Sequence, residues 1–105
     1  MHTDQTARVR ALNDNLRRTG NGGRFLITSG VEGRGISFVV QALAEVARFE
    51  AFSPDNDPYG EHDFGAFELS GESLFWKIDY YNRNLTGGAD DPADEATCQR
   101  VLTLM

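Results

Sequence analysis

The sequence predicts an α+β fold: a small, mainly antiparallel sheet with a C-proximal hairpin at about 63–80 and about three helices packed on one face. Two periodicities and the punctuation between them carry this expectation. Apolar residues recur at helical spacing near the start and again around 37–48, and they alternate at period two across 63–80. Gly, Pro, Asn and Asp cluster between those runs. The 105 residues, 40% hydrophobic and 25% charged, fit one globular domain spanning 1–105.

Thr3 or Asp4 caps a first helix in which Val9, Leu12 and Leu16 share a face, and the glycine-rich TGNGG ends it. The run at 24–29, RFLITS, is short, apolar and bounded by glycines, which reads as a buried strand. Ser37 then caps a helix over about 37–48 whose apolar face is Val39, Ala42, Leu43, Val46 and Ala47. Residues 49–52 form a short second strand that Pro54 stops. After the hairpin, Asp91 as cap, Pro92 at the first helical position and Asp94 and Glu95 near the positive end open a C-terminal helix. Cys98, Val101, Leu102 and Met105 form its apolar side.

The hairpin register follows from burial. A two-residue turn at Ser70 and Gly71 pairs Leu69 with Glu72, Phe67 with Leu74 and Gly65 with Trp76, so that Phe67, Leu69, Leu74, Trp76, Ile78 and Tyr80 share a face. A slip of one residue would expose several of these side chains at roughly 1.5 to 3 kcal/mol each. The expected core is Phe25, Ile27, Leu43, Val46, Phe67, Leu74, Trp76, Ile78 and Val101.

The formal charge of -6 is unevenly spread: Arg8, Arg10, Arg17, Arg18, Arg24 and Arg34 lie in the first third, and most carboxylates follow position 44. The acidic part repels phosphates and the basic part is too thin for a phosphate track, so no direct nucleic-acid binding is expected. No apolar run reaches the roughly 18 to 20 residues of a membrane span, and the polar MHTDQTARVR lacks a signal-peptide block; no membrane association and a cytoplasmic location are expected. Cys98 reads as a small core residue.

The richest stretch in chemical groups is 52–81, a turn-rich acidic loop feeding the hairpin. If strand pairing extends into the loop, His62 lies opposite Asp79, and a carboxylate beside an imidazole prepares it for proton transfer or ties a loop to a strand. Asp55, Asp57, Glu61 and Asp63 suggest hard-cation ligands, but an EF-hand frame from Asp55 puts Tyr59 in the fifth position and Ala66 where a bidentate Glu is required. One Cys and two His residues do not make a zinc site either. No metal and no cofactor are therefore expected; Asp55 or Asp57 instead accepts backbone N–H groups in turns around Pro54 and Pro58. GVEGRGIS at 30–37 sits where a phosphate loop would, with Ile36 in place of the lysine.

PDNDPYGEHDFGAFEL, FWKIDYYN, DPAD followed by RVLTLM, and LNDNLRRT near the start together resemble a small bacterial family known only as a domain of unknown function. Members are short, cytoplasmic and frequent on plasmids and other mobile elements, so the resemblance implies an accessory role without assigning an activity to any residue. The expected function is a non-enzymatic interaction module, sharpest as an inhibitor of a nucleic-acid-handling host-defence complex of the anti-CRISPR or anti-restriction kind. Asp55, Asp57, Tyr59, Glu61, His62, Asp63, Asp90, Asp91, Asp94 and Glu95 would meet a basic protein surface, such as that of a nucleic-acid-binding protein or nucleoprotein complex. The alternative is a small enzyme using His62 and Asp79 as an acid–base pair. A deep pocket at His62 would favour the enzyme, and an exposed acidic face the binder.

Overall fold

The computed structural model describes residues 4–105. Three helices and four strands follow in the order α1 (Asp4–Thr19), β1 (Gly23–Ile27), α2 (Ser29–Glu32), α3 (Ile36–Arg48), β2 (Phe64–Leu69), β3 (Glu72–Asn82) and β4 (Cys98–Leu104). The strands form one mixed sheet in the order β1-β4-β3-β2, with β1 and β4 parallel and the other two ladders antiparallel.

In α1 the buried positions are Val9, Asn13, Leu16 and Arg17, a helical stripe with two polar members, while Arg17 and Arg18 sit in the last turn where the helix end favours cations. Gly20, at φ 78°, donates its N–H to Leu16 O at 2.9 Å and closes the helix with the left-handed cap that glycine adopts without strain. Thr3, one of the two expected caps, lies outside the described residues. Helix α3 begins one residue before the expected Ser37: Gly35 holds the cap position, and Ser37 Oγ instead accepts a bond from Gln41 Nε2.

The hairpin adopts the expected register, with Leu69 opposite Glu72, Phe67 opposite Leu74 and Gly65 opposite Trp76. Ser70 and Gly71 both have positive φ, at 54° and 80°, as a two-residue turn matching the strand twist requires. A Cβ at Gly65 would collide with the Trp76 indole, so the absent side chain is what lets the ring lie across β2.

Two expected elements differ. Residues 49–52 are not a strand; Phe49 and Phe52 meet each other and Trp76 edge to face. The larger correction is at the C-terminus, where the expected helix from Asp91 is a turn followed by a strand. Asp91 Oδ1 accepts Ala93 N–H, Asp94 Oδ1 accepts Ala96 N–H, and Asp94 O accepts both Thr97 and Cys98 N–H groups. These Asp residues cap turns as readily as helix starts. β4 then fills the gap between β1 and β3, satisfying backbone groups on both of its edges, which a helix there would leave unpaired.

The core joins Leu16, Val31, Phe38, Ala42 and Val46 from the helices to Leu74, Trp76, Ile78, Leu102 and Leu104 from the sheet, so all three helices contribute to one face. Phe25, Ile27, Leu43 and Phe67 pack partly buried against it. Val101 is buried as expected but on the opposite sheet face, in a hollow shared with Leu26, Tyr81 and Leu85.

Candidate functional site

The chemically dense region lies where the 53–63 loop meets α1. Pro54 starts a turn that the loop's own side chains complete: Asn56 Oδ1 accepts Ser53 N–H at 2.8 Å, and Asn56 Nδ2 donates to Ala51 O at 2.8 Å. Asp57 is buried, and its Oδ1 accepts the N–H of His62 at 3.1 Å. That bond holds His62 at φ 55°, a left-handed conformation that costs a non-glycine residue free energy and persists only where its surroundings enforce it.

The bend at His62 overturns the expected partnership with Asp79. The β2–β3 ladder stops at Phe64 opposite Lys77, and the chain then turns toward the helices. Asp79 instead pairs with Val101 in the β3–β4 ladder and sets its carboxylate 3.1 Å from Lys77 Nζ. The His62 imidazole meets α1: Nδ1 is 3.0 Å from Asp14 Oδ1, and the ring stacks on Phe52 at 3.8 Å between centroids with planes 2° apart. Asp57 Oδ2 lies 3.7 Å from Nε2, too long for a direct hydrogen bond.

Asp14 is shared with Arg17, whose guanidinium donates to it at 2.7 Å. Burial pushes the Asp14 carboxyl up, but the donors Arg17 and His62 outweigh that effect and hold it below its ordinary value. Arg17 also donates to Val46 O at 2.8 Å and Phe49 O at 2.9 Å at the end of α3, while its cation lies 5.3 Å from the Phe52 ring centre and 5.2 Å from that of Trp76. One buried side chain thus ties α1, the end of α3, the loop and the sheet together.

A second chain of bonds runs beside the first. Asn13, fully buried, donates to Glu61 O and Tyr80 Oη and accepts from Arg100 Nε at 2.8 Å. Tyr80 in turn donates to Glu61 Oε1 at 3.0 Å, and Arg100 reaches Pro92 O. Burial, followed by the nearby carboxylates of Glu61 and Asp63, drives the Tyr80 hydroxyl strongly toward its neutral form. Burial likewise raises the Asp63 carboxyl, reinforced by Glu61, and raises the Cys98 thiol, which keeps that residue unreactive.

The expected interaction residues therefore divide. Asp55, Tyr59, Asp90 and Glu95 are exposed. Asp57 is buried; Glu61, His62 and Asp63 are half-buried, Glu61 and His62 through side-chain bonds; Asp91 and Asp94 are half-buried turn caps, with Asp91 also accepting from Gln5 Nε2 at 2.8 Å. Sequence reasoning missed Asn13, Asp14, Arg17, Phe52 and Arg100. A signal existed for two of them, because Asn13 and Arg17 fall on the same helical stripe as Val9 and Leu16.

His62 borders a cleft of about 260 Å³ with Arg10, Phe52, Ser53, Pro54, Asp57, Pro58 and Gly60. That is below the roughly 300 to 1,000 Å³ of ordinary ligand pockets. Ser53 shares the cleft, but its Oγ accepts Asn56 N–H within the turn. A wider depression of about 590 Å³ is lined by Asp4, Gln5, Arg8, Asp91, Ala93 and Asp94. Among the described residues no group of three or more His, Cys, Asp or Glu could hold a metal ion, and no helix is long and apolar enough to cross a membrane.

Residues 27–105 match a family model described as a protein of unknown function, DUF3768. No curated protein and no solved structure matches the chain. The matched span includes the loop, the hairpin and β4, whereas Arg10, Asn13, Asp14 and Arg17 precede it.

Proposed function

The chain belongs to the DUF3768 family, and on that premise we propose that it acts by binding, as a small acidic module that meets a basic protein surface. What supports this reading most is that both acidic segments are bonded to the same helix. Gln5 and Arg8 hold Asp91 and Ala93, while Arg10 and Asn13 hold Gly60 and Glu61. Asp4 opens α1, the exposed carboxylates Asp55, Asp90 and Glu95 lie on or beside the two segments that it holds, and the depression beside Asp91 and Asp94 adds a concave acidic surface. The exposed Tyr59 supplies an aromatic anchor of the type enriched at interfaces. His62 supports the same reading, since its imidazole is held by Asp14 and Phe52 and borders a small cleft.

In its sharper form the module is an accessory protein of mobile elements that acts in the cytoplasm and inhibits a nucleic-acid-handling defence complex of the anti-CRISPR or anti-restriction kind. Such complexes hold nucleic acid in cationic channels, and an acidic protein competes for the same charges without base pairing. The test is retention of the partner from a native host extract at low and moderate salt, followed by competition between the module and nucleic acid for the purified partner. Reversing Asp55, Asp90 and Glu95 together to Lys should abolish both retention and competition with the thermal midpoint unchanged. Retention indifferent to salt and to these reversals would reject the acidic surface as the docking face.

A further inference from the structure

Helix α3 carries apolar residues on two sides. Phe38, Ala42 and Val46 face the core, yet Ile36 and Val40 are 83% and 61% exposed. At 3.6 residues per turn, Ile36, Val40, Leu43, Ala44 and Ala47 fall in a second stripe about 100° wide on the outer side, in which Ile36, Val40 and Ala44 are exposed, Ala47 is half-buried and Leu43 is half-buried at the margin nearest the core. A solvated helix surface has no use for such a stripe, and a helix apolar on both sides buries both. This face also differs electrically from the rest of the chain. Residues 29–48 hold Glu32 and Glu45 against Arg34 and Arg48, a local balance of zero in a chain of net charge -6.

We propose that this stripe pairs with the same stripe of a second copy, making a two-fold dimer through antiparallel α3 helices. The stripe is complementary to itself in shape. Among its exposed members the N-terminal ones are large, Ile36 and Val40, and the C-terminal one is small, Ala44, while Leu43 and Ala47 are half-buried. An antiparallel pair centred on Val40 sets Ile36 of each copy against Ala44 of the other, so large meets small and the helices approach closely. It is complementary in charge as well: Glu32 ends α2 but lies beside Ile36, so pairing Ile36 with Ala44 sets it near Arg48, one turn beyond Ala44 on the other copy. Glu32 stands beside Ile36, where with Ile27 and Val39 it lines a hollow of about 350 Å³ that receives the end of the partner helix. Arg48 has a side chain 70% exposed and is paired with Glu45 of its own helix. A parallel pair would oppose Glu32 to Glu32 and Arg48 to Arg48 instead. The dimer does not depend on the acidic docking face, but it would display that face twice and strengthen binding to any repeated partner surface.

Sedimentation equilibrium of the purified full chain, across roughly 1 to 200 µM, tests this directly. The wild type should be a dimer at the upper end, and Val40→Glu should be monomeric throughout with an unchanged circular dichroism spectrum. Glu32→Arg alone should weaken the dimer by roughly tenfold, and adding Arg48→Glu should restore it, because the swapped charges again face their opposites. The charge-swap series decides the matter by itself should Val40→Glu lose helical signal. A wild type monomeric at every concentration, a dimer that survives Val40→Glu, or a double swap no tighter than the single would each overturn the proposal.

Discussion

Asp55 and Asp57 stand two residues apart in one acidic loop, yet they occupy opposite sides of it. Asp57 points inward, is buried, accepts the N–H that holds His62 in its left-handed conformation, and lies beside the imidazole. Asp55 faces solvent. The inner side of the loop belongs to a polar network that seats it on α1, and the outer side, with Asp55 and Tyr59, is exposed. An acidic motif is thus no measure of acidic surface: removing carboxylates on the inner side should cost folding, and on the outer side association.

The largest effect should come from the residue that anchors the inner side. Arg17→Ala leaves Asp14 without its guanidinium, frees the carbonyls ending α3 and removes the cation that lies over the Phe52 and Trp76 rings. A loss of about 3 to 5 kcal/mol is expected, lowering Tm by more than about 10 °C in a calorimetric scan. Asp57→Ala comes next, at about 2 to 3 kcal/mol, because the His62 N–H loses its acceptor. By the same logic, reversing Asp55, Asp57 and Glu61 together should unfold the protein, whereas Asp55→Lys alone should stay within about 0.5 kcal/mol of wild type.

Acid sharpens the comparison further. The Asp14 carboxyl is lowered from 3.8 in the fold, so its contribution is present above that value and is lost as pH falls through the folded pKa. Asp63 is raised above 3.8, so its contribution is present below that value and is lost as pH rises through its folded pKa. Asp14→Asn should therefore flatten the fall in stability below about pH 4, and Asp63→Asn should stabilise the protein modestly at pH 7. Urea titrations of both variants from acid to neutral pH check the opposite signs. The smallest effect is expected on binding from the imidazole of the inner side. Folded His62→Ala should capture the partner as the wild type does, and a hydrolytic or transfer activity lost with His62 alone would reinstate an enzyme.

How far the fold could be read ahead of the structure depends on sequence distance. The hairpin pairs residues three to thirteen positions apart, from Leu69 with Glu72 to Phe64 with Lys77, so the same short stretch contains the alternation, the turn and the glycine that admits Trp76. The site was harder to read. His62 was legible as the centre of the dense stretch, but its partner Asp14 is 48 residues away on another element, and the ladder that would have delivered Asp79 ends at the bend.

Periodicity, turn chemistry and charge in the chain itself determined α1, α3, the hairpin with its register, the acidic character and the existence of β1, which is an edge strand with Leu26 exposed rather than the expected buried one. Tertiary structure alone decided that the C-terminal segment is a strand, that His62 faces Asp14, and that Asp57 is buried while Asp55 is not. The reason is that helix-start signals such as Asp91-Pro92 are worth only about 1 kcal/mol locally. They yield to the demand for hydrogen bonds along both edges of the gap between β1 and β3, where Gly23 pairs with Arg100 across most of the chain.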